Sequence, residues 1–181
     1  IAMCADVPVT VAMVNRVLNL KGLSVDSARA LSDKFLMKQR LADAGIAIPK
    51  FCAIKQLADL KKAADYLTFP FVIKPVDSRG SRGVQLIENS EQFATWFHIA
   101  MLESTSGSVI AEEFLSGPQV STETLIEDGI CHTIGFADRN YEWLNHTKPF
   151  MIENGGDAPS SLTSIEQQQI IDLAEKASIA L

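Results

Sequence analysis

Residues 71–83 read FVIKPVDSRGSRG and place one lysine inside a run of large apolar side chains. A charge in such surroundings is energetically costly unless a counter-ion or a hydrogen-bonding group is paired with it. Pro75 directly follows Lys74 and cannot donate a ladder hydrogen bond, so a strand should end or turn there. The sequence therefore predicts a buried strand over residues 69–76, from whose end the lysine emerges.

The segment 78–83 that follows is a candidate anion site. It supplies backbone N–H groups, two hydroxyls and two guanidinium groups within six residues. Its glycines allow positive φ angles that point successive amides into one concavity. A Gly-Lys-Ser/Thr sequence is absent and a strand is predicted to follow, which excludes a Walker A loop and a dinucleotide fingerprint. The segment is therefore either a lid over phosphates or a flexible, solvated hairpin with a snorkelling lysine.

Two adjacent acids interrupt another apolar strand, residues 109–115, which reads VIAEEFL. Neighbouring strand residues face opposite sides, so either Glu112 or Glu113 should point inward and need a donor or a cation. Lys74, an adenine amino group or a ribose hydroxyl could serve, and the strand end could present Glu113 C=O and Leu115 N–H to adenine. The alternative is a strand between lobes with one surface acid and one internal salt bridge.

Two further polar residues, Lys34 and Gln119, each allow two interpretations. Lys34 opens a helix and opposes its positive N-terminus, so it is either a solvated first-turn lysine or an anion ligand. Gln119 sits in a turn and faces either a ribose or solvent. The histidines share no spacing typical of a metal site or a catalytic pair: they are His98, His132 and His146.

Hydrophobic periodicity predicts two mixed lobes, an α+β fold, rather than one parallel sheet. The order is helix, strand, helix, strand, loop, strand and helix, followed by mainly antiparallel strands. Helices are predicted over residues 10–20, 33–45, 56–67, 89–101 and 164–181, the last with a capping box of Ser164 and Gln167. Strands are predicted over residues 51–54, 69–76, 84–87, 109–115, 120–126 and 130–136, with a turn at Asp128-Gly129 and an irregular segment at 137–163.

Composition narrows the class of protein. The chain has 181 residues, 47% of them hydrophobic and 21% charged, as in an ordinary globular protein. A formal net charge of −6 argues against a nucleic-acid partner. The longest apolar run, residues 7–20, is interrupted by polar residues and is too short to span a bilayer, so no membrane partner is expected. The cysteines are far apart with no C-x-x-C pair, which favours a reducing cytoplasm: they are Cys4, Cys52 and Cys131.

Taken together and in this order, the motifs resemble the ATP-grasp superfamily, especially its carboxylate–amine ligases and its members similar to carbamoyl-phosphate synthetase and biotin carboxylase. The resemblance is strongest at residues 69–75. It implies an ATP-grasp fold, incomplete at both ends, with ATP between the two lobes. Residues 1–31 would be the tail of a pre-ATP-grasp domain, 32–107 the N-terminal lobe and 108–181 part of the C-terminal lobe.

The resemblance also implies roles for individual residues. Lys34 and Lys74 would hold the phosphates. The phosphate lid would consist of Ser78, Gly80, Ser81, Arg82 and Gly83. Adenine would be bound by Glu112, Glu113, Phe114 and Leu115, with Glu113 and Leu115 acting mainly through their backbone. Gln119 falls where the family usually has a ribose-binding glutamate, and an amide still donates and accepts.

Members of this family use ATP to phosphorylate a carboxylate, and a nucleophile then displaces the phosphate. Magnesium bridges the phosphates, and its ligands are expected beyond Leu181, so we expect this chain by itself to bind ATP without catalysis and assign no catalytic residue. Expected partners are ATP, a small carboxylate and, in a possible homodimer, a second copy of the chain. The alternatives are a kinase that phosphorylates a hydroxyl and a non-catalytic nucleotide-binding module.

Overall fold

The structure, a computed structural model, describes residues 7–181 and contains two antiparallel sheets with surrounding helices. The helices are α1 (Pro8–Val17), α2 (Val25–Ser32), α3 (Lys34–Asp43), α4 (Asp59–Leu67), α5 (Phe93–Leu102), α6 (Leu144–Thr147) and α7 (Ser164–Ala180). The strands are β1 (Phe51–Ile54), β2 (Phe71–Pro75), β3 (Gln85–Ile87), β4 (Val109–Glu113), β5 (Gln119–Glu127), β6 (Ile130–Arg139) and β7 (Gly156–Asp157). Cys4 and the start of the predicted N-terminal tail lie outside the described residues.

The first sheet has the strand order β1-β4-β2-β3 and carries the hydrophobic core on one face. Alternation along β2 places Phe71 and Ile73 in that core, which α4 and α5 cover. The intervening residues Val72 and Lys74 therefore face the other side of the sheet. Val72 lies opposite Glu112 of β4, so the lysine and the acid share this second face. Because successive side chains of β2 alternate between the two faces of the sheet, this five-residue strand contributes both to the core and to the face that carries Lys74.

The second sheet, β5-β6-β7, begins with a hairpin. Its turn is Asp128-Gly129, with φ angles of 47° and 81°, as the Asp-Gly signal predicted. The β5–β6 ladder runs from the pair Gln119 and Arg139 to the pair Glu127 and Ile130, with a register shift between Glu123 and Thr124. Helix α7 packs against β6. No side chain of β5 or β6 is buried.

Most of the predicted elements are confirmed. The helix and strand order of residues 33–102 is as predicted, and strand 51–54 matches β1 residue for residue. The helix predicted over residues 33–45 is α3, in which Asp33 accepts hydrogen bonds from the amides of Phe35 and Leu36. The first helix begins at Pro8 and ends at Val17 rather than at Leu20.

Three local predictions were wrong or incomplete. Helix α2 was not predicted, although Ser24 caps it by accepting a hydrogen bond from the Ser27 amide at 2.9 Å. The capping box of α7 consists of Thr163 and Glu166, one residue before the predicted pair Ser164 and Gln167. The segment predicted to be irregular, residues 137–163, contains the end of β6 together with α6 and β7.

None of the helices among residues 7–181 combines the length and the apolar composition that a membrane crossing requires.

Candidate functional site

A cleft of about 630 Å³ opens on the polar face of the first sheet. Its floor includes Val72 and Lys74 of β2 and Glu112 of β4. Tyr141 closes it from the side of the second sheet, and Met151 follows the segment 149–150, which pairs with β3. Every residue that the sequence singled out as a site candidate lines this cleft, except Arg82 and Gly83. The chain thus gathers most of the candidates from four separate segments into one space.

Lys74 meets its charge partner across the sheet. Its ammonium Nζ lies 2.9 Å from Glu112 Oε2, and the two side chains are 21% and 9% exposed. They are diagonal neighbours on one face, because Val72 lies opposite Glu112 and Lys74 follows two residues later. The sequence left Lys74, an adenine amino group and a ribose hydroxyl as possible partners of the inward acid. The structure shows that the inward acid is Glu112 and that Lys74 contacts it. The other carboxylate oxygen, Oε1, is buried and has no hydrogen-bond partner in the described part of the chain.

Lys34 reaches the same cleft from the first turn of α3. Its ammonium donates to the carbonyl oxygens of Val76 at 3.3 Å and Ser78 at 2.5 Å. Burial lowers the pKa of this ammonium, and the nearby charge of Lys74 lowers it further. The lysine is therefore held at the base of the loop 78–83 and is not a freely solvated first-turn residue.

Lys38 is a buried lysine that sequence reasoning missed. It lies on α3 one turn after Lys34, and its Nζ is 3.5 Å from Glu112 Oε2 with both side chains 9% exposed. The ammonium also lies 5.9 Å from the centre of the Phe51 ring. The spacing of four residues from Lys34 was a usable signal, since residues i and i+4 share one helix face. Glu112 thus contacts two ammonium groups.

The loop 78–83 has the backbone that its glycines predicted. The φ angles of Gly80 and Gly83 are 62° and 71°, and Ser81 also adopts a positive φ of 56°. A Cβ at Gly83 would lie 2.7 Å from Cγ of Pro75, so this position requires glycine for space as well as for conformation. The Ser78 hydroxyl donates to the Arg82 carbonyl at 2.7 Å and closes the loop on itself.

Arg82 and Gly83 lie outside the cleft. Gly83 packs against Pro75 at the base of the loop. Arg82 instead lines a neighbouring hollow of about 410 Å³ together with Arg139 and Phe150. Arg139 forms an ion pair with Glu153. Gly80 and Ser81 line the cleft together with the two lysines, and the Ser78 carbonyl lies 2.5 Å from the Lys34 ammonium.

The end of β4 supplies the opposite wall of the cleft. Glu113 turns its carboxylate away toward β1, where it accepts a hydrogen bond from the Lys50 amide at 3.1 Å. The Glu113 amide in turn donates to the Lys50 carbonyl at 2.9 Å. Leu115 is 57% exposed at the mouth of the cleft. Gln119 is also exposed and begins β5.

A second hollow of about 660 Å³ lies on the other side of the segment 114–119. Its lining contains Arg139 and Tyr141 but no lysine among the described residues. The cationic groups therefore favour the cleft beside the first sheet as the anion site. Within residues 7–181, no group of three or more His, Cys, Asp and Glu side chains is arranged to hold a metal ion.

Comparison with known proteins gives a family and several relatives. The ATP-grasp domain family matches residues 31–181. D-alanine–D-alanine ligase B of Pseudomonas putida is 24% identical over 168 residues, which cover 88% of this chain and 49% of the relative. The carbamoyl phosphate synthase large chain of Thermotoga sp. (strain RQ2) is 25% identical over 163 residues, which cover 88% of this chain and 14% of the relative.

A solved structure with the same fold is the L-amino acid ligase from Bacillus licheniformis. It has a TM-score of 0.75 and 25% sequence identity, and the match covers 93% of this chain and 38% of the ligase. This chain therefore spans half or less of the length of these proteins. The predicted α+β fold is confirmed by the two antiparallel sheets and by this structural match.

Proposed function

The chain belongs to the ATP-grasp domain family, as its motifs predicted, and we propose that it is the nucleotide-binding part of an ATP-dependent ligase. The observation that carries the proposal is the convergence of Lys34 and Lys74 with the amides of the loop 78–83 in one cleft. Lys34 is anchored by two carbonyl oxygens and Lys74 contacts Glu112, so the two lysines of the cleft outnumber the one carboxylate that either of them contacts. A floor with this charge excess favours a polyanion such as a triphosphate.

The phosphates would lie between the two lysines and the loop. Lys34 enters from α3 and Lys74 from β2, so the two ammonium groups would contact the phosphate chain from different directions. The positive φ angles of Gly80 and Ser81 would aim their amides at the same phosphate oxygens, as in other anion-binding nests. The loop would then close over the nucleotide as a lid.

The base would lie toward the end of β4. Glu112 Oε1 is a buried acceptor without a donor among residues 7–181, and the adenine amino group is a donor of the right kind. The backbone of Glu113 and Leu115 would meet the hydrogen-bonding edge of the ring, with Phe114 beside them. Gln119 would contact the ribose with its amide in place of the family's usual carboxylate.

The reaction would transfer the terminal phosphoryl group of ATP to a small carboxylate, and an amine or a similar nucleophile would then displace the phosphate. Such transfers are accelerated mainly by positioning and by charge neutralisation. The residues of this chain would supply both, through the two lysines and the loop amides. Magnesium serves this chemistry in the family, but the described residues contain no cluster of ligands to which we assign it.

The first test measures ADP release by the protein that contains this chain, with and without a panel of amino acids and other small carboxylates. We expect ADP release to depend on the carboxylate. Lys74→Met should lower the rate by about a hundredfold, as expected for loss of a group that stabilises transferring charge. Lys61→Met, which removes an exposed lysine of α4 that is not part of the cleft, should leave the rate unchanged.

The products separate the ligase from its alternatives. An acyl-phosphate is trapped by hydroxylamine, whereas a stable phosphomonoester would identify a kinase that acts on a hydroxyl. If no carboxylate in the panel elicits ADP release and Lys74→Met leaves the protein's biological activity intact, the ligase proposal is wrong. A protein that binds ATP but behaves in this way would be a nucleotide-binding module.

A further inference from the structure

The two lysines that contact Glu112 differ in their access to the cleft. Lys74 lines the cleft and its side chain is 21% exposed. Lys38 is not part of the cleft wall, its side chain is 9% exposed, and its ammonium lies 5.9 Å from the centre of the Phe51 ring. Lys74 can therefore meet a ligand in the cleft, whereas Lys38 contacts the carboxylate from the interior.

The carboxylate itself cannot lose all its counter-ions. Glu112 is 7% exposed, and its Oε2 is shared by Lys74 at 2.9 Å and Lys38 at 3.5 Å. A buried carboxylate without a cation is strongly unfavourable, and removing one partner of such a pair is destabilising because the other charge stays behind. Any movement of the Lys74 ammonium toward a ligand therefore requires another cation to remain on Glu112.

We propose that Lys38 is the permanent counter-ion of Glu112, and that its presence allows Lys74 to exchange the carboxylate for a phosphate group of the nucleotide. Lys38 is then a positioning residue, which acts on the phosphate through Lys74 without contacting it. The inference rests on the proposed nucleotide site and adds a role for a residue outside the cleft. Burial lowers the pKa of the Lys38 ammonium and the charge of Glu112 opposes this shift, as expected for a lysine retained by its acid.

If Lys38 acts as the counter-ion of Glu112, its effect on phosphate binding depends on the charge of Glu112. With Lys38 absent, Lys74 would be the one cation among residues 7–181 in direct contact with Glu112, and it would be held back from the phosphate. With Glu112 neutral, Lys38 would have nothing to neutralise and its loss would not matter to Lys74. The effect of Lys38 on ATP affinity should therefore exist only when Glu112 is charged.

The test is a double-mutant cycle with ATP affinity measured by isothermal titration calorimetry. The variants are Lys38→Met, Glu112→Gln and the double variant, with Lys61→Met as the surface control. Lys38→Met should weaken ATP binding about tenfold in the presence of Glu112, a typical coupling between neighbouring sites, and should have little effect in the Glu112→Gln protein. Lys38→Arg keeps the charge and should restore most of the affinity.

A second probe distinguishes positioning from a general loss of structure. Adenosine has no phosphate, so it should bind wild-type protein and Lys38→Met with equal affinity. If Lys38→Met fails to fold, Lys38→Gln provides the same loss of charge with a remaining hydrogen-bond donor. The double variant also removes both charges of the pair and is measured in any case.

The outcomes separate this inference from the function on which it rests. Equal weakening of ATP and adenosine binding, or an equal effect of Lys38→Met with and without the Glu112 charge, would overturn the role of Lys38 alone. Wild-type protein that binds adenosine but gains no affinity from the phosphates of ATP would overturn the proposed phosphate site and the role of Lys38 together.

Discussion

The two sheets of this molecule differ in how many of their side chains are buried. The first sheet, with α4 and α5, holds a continuous cluster of buried side chains that includes Phe71, Ile73 and Val109. The second sheet and α7 contain no buried side chain, and large apolar residues such as Ile130 and Ile134 are 60% and 67% exposed. The first region is thus stabilised by burial and the second mainly by its backbone ladder and local polar contacts.

The difference has a direct consequence for the cleft. Its cationic floor, with Lys74 and Glu112, belongs to the well-packed region, whereas Tyr141 follows β6 in the region without a core. A region with few buried apolar contacts opens at a lower free energy than a packed core. We therefore expect the lysine side of the cleft to keep its geometry while the wall at Tyr141 adjusts to a ligand.

The largest expected effect compares one substitution in both regions. Ile73→Ala removes a side chain that is 0% exposed in the core, and should lower the free energy of unfolding by about 2–5 kcal/mol. Ile134→Ala, at a position 67% exposed, should change it by only about 0.5 kcal/mol or less. Urea titrations that follow the tryptophan fluorescence and the circular dichroism of each variant measure both values.

This pair of variants can contradict the contrast between a packed first sheet and an exposed second sheet. If Ile134→Ala costs as much as Ile73→Ala, the exposed face of β6 is covered in the protein, by a further segment or by a second copy. Ile134→Ala would then also be expected to change the concentration dependence of unfolding, if the covering partner is a second copy. A small effect that does not depend on concentration would leave the contrast between the two sheets intact.

What the sequence could predict follows the same division. Lys74 and Glu112 were found because a charge within a strongly apolar strand has few explanations. The period of two predicted that one of Glu112 and Glu113 points inward but did not say which. Lys38 was missed because α3 has a mixed pattern in which a lysine is normally a solvated residue, and its contact with Glu112 is set by tertiary packing. Elements of residues 137–163 were missed because they depend on distant pairings, such as Asn140 N–H with the Gly155 carbonyl.

A smaller effect concerns the aspartates that tie loops to each region. Burial raises the pKa of Asp77, but hydrogen bonds from Thr105 and Ser104 and from the Ser106 amide outweigh it and lower the pKa to about 2. In the second region, hydrogen bonds from Ser160 and from the Ser161 amide lower the pKa of the half-buried Asp138. Both carboxylates therefore stabilise the fold in their charged form.

The sign of the pH dependence follows from these shifts. The folded pKa of Asp77 lies below its ordinary value of 3.8, so its contribution is complete above about pH 4 and is lost as the pH falls toward 2. Because the group is partly solvated, we expect this contribution to be about 1 kcal/mol. Asp77→Asn should flatten the acid limb of stability against pH between 4 and 2, and Asp138→Asn should flatten it less. An acid limb that is steeper in Asp77→Asn than in wild type would contradict the assignment.

The smallest expected effect concerns a direct link between the α1–α2 connection and the second sheet. The ammonium of Lys21 lies 3.1 Å from Asp128 Oδ1 in the β5–β6 turn, with side chains 90% and 70% exposed. Exposed ion pairs contribute little and are screened by salt, so Lys21→Met should lower stability by about 0.5 kcal/mol or less at low salt and not at all at about 1 M salt. Lys21 is the residue to change, because Asp128 also has the positive φ of the turn.

Hydrogen exchange of the β5 and β6 amides in Lys21→Met, with Lys61→Met as the control for the loss of one positive charge, gives this link a local measurement. If the hairpin is held by its own ladder, exchange should be the same in both variants and in wild type. Two results together would show that the hairpin depends on its ion pair with Lys21: at low salt, exchange across β5 and β6 rises only in Lys21→Met, and at high salt it becomes equal in wild type and Lys21→Met. A sheet without buried side chains would then derive part of its order from a contact at the molecular surface, which the first sheet, with its own core, does not require.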